Sequence, residues 1–193
     1  AAAPTLPEPV MTNSCMLLPH PEFHDGLRQL SLKYGALLII DETHTISSGL
    51  GGYTGVHSLR PDILVIGKCV AGGMPTAVWG LSPATAERYY TANDNRPSGR
   101  SGMGTTLSAN PMQFACLVAT LSEVMTPETY AHMERLAERL SHGLAKAIDR
   151  HAAPWHVVRV GARVEFICAP GPLKNGAEAA FARAAGGLPA GEG

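Results

Sequence analysis

Two short, uninterrupted apolar runs constrain the fold of this chain more than any other feature of its sequence. Residues 36–40 (ALLII) and 63–66 (ILVI) are too short to be core helices, and neither alternates between apolar and polar side chains. Runs of this kind are typical of strands that are covered on both faces, as in a parallel sheet. They predict an α/β protein in which helices pack against the faces of the sheet.

The segments around these runs agree with that class of fold. Residues 21–34 carry apolar side chains at helical spacing, and Gly35 is placed to end this helix. The sequence also predicts a strand at 77–82, a helical region at 111–150 that breaks at 126–127, and strands within 155–168. By contrast, residues 91–104 predict an exposed loop, and the last 25 residues, rich in Ala, Gly and Pro, predict a disordered tail.

Composition and charge exclude several classes of partner. The formal net charge is −1 and the Lys and Arg residues form no run, so nothing favours nucleic acid or an anionic membrane surface. No apolar run approaches the roughly 18–20 residues of a membrane span. The N-terminus lacks the basic and apolar regions of a signal peptide, and without an initiator Met the true start is expected upstream. A small-molecule partner is therefore expected.

The cysteines indicate the compartment. The four of them are far apart, form no CxxC pair and have no histidine at the spacing of a zinc site. In a chain of this length they are expected to be reduced thiols, which favours a cytoplasmic protein with no metal site.

A charged residue follows each of the two apolar runs. Asp41 comes directly after Ile40, and Lys68 comes directly after Gly67. In open α/β sheets, ligands bind at the carboxyl ends of the strands, where these two side chains are expected to meet. They are an acid and an amine that face one crevice, a salt bridge at the strand ends, or two solvated charges, and spacing alone does not decide among these.

Four motifs around these residues resemble one family. Residues 37–44 (LLIIDETH) and 61–75 (PDILVIGKCVAGGMP) resemble the aspartate and lysine elements of class III aminotransferases and glutamate-semialdehyde aminomutases. Residues 8–10 (EPV) resemble the strand upstream, and 104–111 (GTTLSANP) resemble the segment downstream. The motifs occur in family order and cover residues 8–111.

The resemblance implies a fold and a division of the chain. It implies the three-layer α/β/α large domain of fold-type-I enzymes, with a mixed, mostly parallel sheet, of which residues 1–125 would form a part. Residues 126–193 would then be a linking helix and the start of a small α+β C-terminal domain. Chains of this family are more than twice as long, so this sequence resembles a fragment. The turn that binds the cofactor phosphate is expected upstream.

The same resemblance implies a pyridoxal 5'-phosphate (PLP) cofactor. Lys68 would form the Schiff base with it, since a desolvated amine is a good nucleophile, and would later carry a proton for the substrate. Asp41 would keep the pyridine nitrogen protonated, so that the ring can accept electrons. Thr43 would pack its methyl group on the ring.

Two further contacts are implied by the family pattern. His44 stands where the family usually has Gln and would hydrogen-bond the phenolic oxygen O3′, although an imidazole can change its charge and an amide cannot. Thr106 would reach the cofactor phosphate of the partner subunit in a homodimer with a shared active site. Because Thr105 stands next to Thr106, the motif does not decide which of the two threonines makes this contact. Glu42 and Arg163 are candidate substrate contacts to which no mechanism assigns a role.

The implied activity is transfer of an amino group between an amino acid or amine and an oxo acid. A 2,1-aminomutase on the same scaffold is the nearest alternative, and Asn13 in the segment after the EPV motif favours it slightly. A catalytically inert fragment that serves only as an interaction module is the rival from another class. An NAD-binding domain is not favoured, because no GxGxxG motif follows a strand.

Overall fold

A mixed three-stranded sheet lies at the centre of the computed structural model, which describes residues 3–97, 104 and 107–185. Strands β1 (Ile39–Asp41) and β2 (Ile63–Ile66) are parallel, and β3 (Val78–Leu81) is antiparallel to β2. All three strands were predicted, β1 and β2 from the two apolar runs, and Asp41, expected just after β1, is its last residue. The register pairs Asp41 with Val65, so β1 and β2 end at the same edge.

An extended N-terminal segment continues the sheet beyond β1. The Thr5 N–H donates to Leu37 O, the Ile39 N–H donates to Thr5 O, and the Asp41 N–H donates to Pro7 O, over 2.8–3.1 Å. Thr5 and Leu38 form a parallel bridge. The segment therefore runs parallel to β1 and leads into Glu8 at the same edge where β1 ends.

Six α-helices accompany the strands in the described part of the chain. They are α1 (Phe23–Tyr34), α2 (Gly52–Val56), α3 (Pro83–Asp94), α4 (Pro111–Ala119), α5 (Pro127–Arg150) and α6 (Gly176–Ala185). The predicted end of α1 at Gly35 and the break between α4 and α5 are confirmed. None of the helices within the described residues is long and apolar enough to cross a membrane.

The loop predicted at residues 91–104 is wrong at its start, because α3 continues to Asp94. The signal for α3 lies at its other end. Ser82 caps the helix by accepting a hydrogen bond from the Thr85 N–H, and Pro83 occupies the first turn. Asn110 and Thr126 cap α4 and α5 in the same way.

The C-terminal part adds a separate antiparallel hairpin, β4 (His156–Val160) and β5 (Arg163–Ile167), as predicted from the alternating pattern. The prediction of a disordered tail is wrong for residues 176–185, which form α6, whereas residues 186–193 lie outside the described part. Two alanines of α6, Ala179 and Ala182, are 1% and 8% exposed, and Ala182 belongs to an apolar cluster with residues of the hairpin and of the N-terminal segment.

One face of the sheet remains open. Ile40 is 1% exposed, but its neighbour Ile39 lines an apolar cleft of about 980 Å³ together with Ile63, Val65 and Trp79. The continuous apolar runs predicted a sheet that is covered on both faces. That prediction is wrong for this face within the described chain. The apolar pattern nevertheless marks it as a surface suited to contact with further apolar groups.

A salt bridge between Arg28 of α1 and Asp62 fixes the helix against the start of β2. The two Arg28 Nη atoms lie 2.7 and 3.2 Å from the carboxylate, which also accepts the Leu38 N–H at 2.8 Å. Burial alone raises the pKa of the Asp62 carboxyl. The Arg28 and Leu38 hydrogen bonds and the charges of Arg28 and Arg88 outweigh burial and lower the pKa below its ordinary value.

We expect this pair to make stability depend on pH. Because the pKa of Asp62 is lower in the folded state, its contribution is complete above the unfolded-state pKa of about 3.9 and is lost as the pH falls below it. Asp62→Asn should cost about 2 kcal/mol of unfolding free energy at pH 7 and less at pH 3. Urea unfolding at several pH values measures this. Asp149→Asn, at an exposed position on α5, is the control, and an equal loss for Asp62→Asn at both pH values would contradict the argument.

Candidate active site

Three parallel segments deliver polar side chains to one edge of the sheet. Glu8 follows the N-terminal segment, Asp41 ends β1, and Lys68 follows β2 after a single extended glycine, Gly67. The Glu42 N–H donates to Val65 O at 2.8 Å, so the chain that leaves β1 remains joined to β2 beyond Asp41. The polar edge predicted from the two apolar runs is therefore present, and Glu8 is a third polar residue at this edge.

Lys68 occupies a strained position at the start of a short 3₁₀-helix, Lys68–Ala71. Its φ of 52° lies in the left-handed region, which costs a non-glycine residue about 1–2 kcal/mol. Val70 and Ala71, 0% and 2% exposed, anchor the turn, while Lys68 itself is exposed. Strain held in this way is common at functional sites.

The alternative of a salt bridge at the strand ends does not hold, because Asp41 and Lys68 are not among the ion pairs that the described residues form. The desolvated pocket expected around Lys68 is also wrong for these residues, since the side chain is exposed. The physical reason is that the described residues form no ion pair with the amine and leave the side chain in contact with solvent.

Asp41 and Thr43 form a compact turn beside the lysine. The half-buried Asp41 accepts the Thr43 N–H through Oδ1 at 2.8 Å, which fixes the carboxylate relative to the turn. Thr43 reaches across to the end of β2. A Cβ atom at Gly67 would lie 3.4 Å from Thr43 Oγ1 and 3.5 Å from Cγ2. The Thr43 side chain therefore lies against the backbone that immediately precedes Lys68.

His44 is held by two side chains from the N-terminal segment. Its Nδ1 lies 2.8 Å from Thr12 Oγ1 and 3.7 Å from Glu8 Oε2, and Thr12 Oγ1 donates to Glu8 Oε2 at 3.1 Å. Thr12 is 4% exposed and the His44 side chain 19%. The imidazole is thus fixed through Nδ1, and its other nitrogen, Nε2, makes no hydrogen bond to the described residues.

Glu42 does not contact solvent, so it is not a substrate contact. The residue is 0% exposed, and its carboxylate accepts hydrogen bonds from the Thr45 hydroxyl at 2.5 Å, the Tyr53 N–H at 3.1 Å and the Thr54 N–H. Gly52 lies so close that a Cβ there would be 2.8 Å from Oε2, and its φ of 69° also favours glycine. Glu42 thus ties the turn between Asp41 and His44 to α2.

The four-residue turn Thr45–Ser48 that follows His44 is held by the C-terminal part of the chain. The Tyr130 hydroxyl of α5 donates to Ile46 O at 2.9 Å. Burial, with the Cys69 and Glu42 charges, raises the pKa of Tyr130 to about 12, so the phenol remains a donor at neutral pH. At the hairpin turn, a Cβ on Gly161 would lie 1.6 Å from Ser48 O. Both contacts fix the backbone next to His44.

One other predicted residue, Arg163, is not brought to this edge. Arg163 pairs with Glu165 on β5, with Nη2 2.6 Å from Oε1, and is therefore engaged within the hairpin. Thr106 lies outside the described residues, as does Thr105. Sequence reasoning gave no role to Glu8, which the EPV motif contains, or to Thr12, which no motif marks.

The residues at this edge fit PLP by their chemistry. An unpaired amine suits the cofactor aldehyde, and a carboxylate with a free second oxygen among the described residues suits the ring nitrogen. A threonine methyl group on the strand end and an imidazole nitrogen without a partner complete the set. The donor set thus matches the cofactor predicted from the motifs.

This α/β fold with a lysine and an aspartate at one sheet edge is the arrangement of a fold-type-I PLP enzyme. Residues 2–182 match the family described as Aminotransferase class-III, and the chain belongs to that family. Class III aminotransferases use PLP as their cofactor. Glutamate-1-semialdehyde 2,1-aminomutase of Desulfatibacillum aliphaticivorans is 34% identical over 169 residues, which are 87% of this chain and 38% of that protein.

Solved structures share the fold. A glutamate-1-semialdehyde-aminomutase from Pseudomonas aeruginosa PAO1 has a TM-score of 0.87 at 47% identity, covering 93% of this chain and 41% of that one. A variant of it was solved in complex with PMP. The β-phenylalanine aminotransferase from Variovorax paradoxus has a TM-score of 0.78 at 23% identity, covering 91% and 40%, and shows the common fold alone. The chain spans about two fifths of the length of these relatives.

Proposed function

We propose that this chain carries the lysine and aspartate of a PLP site that transfers an amino group between an amino acid or amine and an oxo acid. The observation that carries the proposal is the placement of an unpaired amine and a half-buried carboxylate on paired parallel strands at one sheet edge. Membership of the class III aminotransferase family supports it.

Each residue at the edge has a distinct role in this proposal. Lys68 Nζ would hold PLP covalently at its aldehyde group and, when free, would take the proton from the substrate α-carbon. The Asp41 carboxylate, fixed by the Thr43 N–H, holds a proton on the ring nitrogen. When bound, PLP supplies an electron-accepting ring that stabilises negative charge on the substrate. Thr43 would hold the ring through its methyl group, and His44 would hold O3′ by a hydrogen bond.

A 2,1-aminomutase is the second candidate, and the relatives favour it. The aminomutases of D. aliphaticivorans and P. aeruginosa are 34% and 47% identical to this chain. An aminomutase keeps the amino group on its product, so it needs no oxo acid acceptor. Turnover of an amino compound by the PLP-loaded protein without any oxo acid supports the aminomutase, whereas strict dependence on an oxo acid supports the aminotransferase.

Trapping with borohydride tests the lysine assignment. Reduction of the purified protein with PLP is expected to place a pyridoxyl group on Lys68, because borohydride converts a C=N bond into a stable amine. Peptide mapping measures the label on each of the other lysines, Lys33, Lys146 and Lys174, as internal controls. An unlabelled Lys68 in folded protein would contradict the proposal and favour the inert interaction module.

Three features of the whole protein belong to the same proposal. We infer a homodimer in which Thr106 reaches the cofactor phosphate of the partner subunit, on the evidence of its motif. A cytoplasmic location is supported by the four cysteines, all of which are free. Residues 1–125 and 126–193 are proposed as separate parts, and the hairpin supports this because it does not join the three-stranded sheet.

A further inference from the structure

The contacts of His44 determine which of its ring nitrogens carries the proton. Thr12 Oγ1 has one hydrogen to donate, and Glu8 Oε2, 3.1 Å away, is a carboxylate oxygen that can only accept. That hydrogen is therefore directed to Glu8. His44 Nδ1 lies 2.8 Å from the same Thr12 oxygen, which is left as the acceptor. Nδ1 must then be the donor.

We infer that Thr12 and Glu8 are positioning residues that hold His44 in the tautomer protonated at Nδ1, so that Nε2 presents a lone pair to the site. The inference extends the proposed function, on which its consequence for PLP rests, but the tautomer is a property of the protein alone. Burial supports it, since Thr12 is 4% exposed and water therefore has little access to its hydroxyl group.

The consequence concerns the kind of hydrogen bond that His44 offers. With Nδ1 protonated, neutral His44 accepts at Nε2 and donates there only after it takes up a second proton. The Gln that the family usually carries at this position donates from its amide at any pH. Glu8, whose Oε2 lies 3.7 Å from Nδ1, is the titratable group that faces the ring among the described residues. His44 thus makes the contact with O3′ depend on a proton where an amide does not.

Nitrogen-15 NMR of the protein without PLP tests the tautomer directly. We expect His44 at high pH to show a protonated Nδ1 and an unprotonated Nε2. Thr12→Val removes the acceptor while keeping the shape of the side chain, and should increase the fraction protonated at Nε2 about fivefold, the factor that accompanies loss of one typical hydrogen bond. Thr12→Ser keeps the hydroxyl and should retain the wild-type tautomer.

Two results would overturn the inference: a wild-type His44 protonated at Nε2, or the same tautomer ratio in Thr12→Val and wild type. Glu8→Gln provides a second test if Thr12→Val is unfolded. Its amide can donate to Thr12 Oγ1 and frees the hydroxyl hydrogen for Nδ1, so the fraction protonated at Nε2 should also rise. Borohydride labelling of Lys68 in the same samples separates this question from the proposed function, because a missing label with the expected tautomer contradicts only the latter.

Discussion

Lys68→Ala is expected to lower kcat/KM for the proposed amino group transfer by about 10³-fold or more, because in that proposal the side chain supplies both the covalent bond to PLP and the proton transfer. The variant should fold normally, since Lys68 is exposed and unpaired among the described residues, and removal of its side chain leaves no buried group without a partner. Steady-state kinetics and circular dichroism measure the two quantities.

The matched control for this variant is Lys146→Ala, which removes an exposed lysine of α5 far along the chain from the sheet edge. It should retain wild-type kinetics and wild-type labelling with borohydride. If Lys68→Ala retains most of the activity, or if both variants lose it equally, Lys68 is not the residue that binds the cofactor.

Glu42→Ala is expected to have the largest effect on stability. It leaves the Tyr53 and Thr54 N–H groups without their buried acceptor, and each such group costs about 1–3 kcal/mol, so a loss of about 3 kcal/mol or more is expected. Glu42→Gln should cost less, because one amide oxygen still accepts, although the NH₂ group then opposes a backbone donor. Urea unfolding gives both values.

The exposed Glu123 provides the comparison, and neither Glu123→Ala nor Glu123→Gln should change the unfolding free energy by more than about 0.5 kcal/mol. A change this small for Glu42→Ala would show that the buried network does not stabilise the turn. Because the turn also carries Asp41 and His44, the folded fraction of Glu42→Gln should bind PLP more weakly than wild type at the same temperature.

The strands of the central sheet and the pair at their edge were predictable because their signals are local. A continuous apolar run of five residues or fewer is enough to predict a strand, and the charged residue that follows the run predicts the polar edge of the sheet. Helix α3 was missed because its last turn is polar and resembles a loop, although Ser82 and Pro83 mark its start. Helix α6 was missed because alanine-rich composition does not show that Ala179 and Ala182 have surfaces to fit against.

The supporting residues of the site were not predictable for a different reason. Thr12 and His44 are 32 positions apart in the chain, and no local pattern joins them. Glu42 stands between two predicted cofactor residues, but its partners are backbone N–H groups, which every sequence contains. Gly52, which lies against the Glu42 carboxylate, is the one sequence signal for this buried group. It is a weak signal, because glycines occur in tight turns of every kind, with or without a buried carboxylate beside them.

The close approach of Gly161 to Ser48 has a consequence for how the protein can move. The hairpin turn rests on a carbonyl four residues after His44, with no space for even a methyl group, and Tyr130 holds the carbonyl two positions earlier. A rigid shift of the hairpin towards this turn would therefore have to displace the backbone that follows His44. A shift of α5 would have to break the Tyr130 hydrogen bond or carry the same backbone with it.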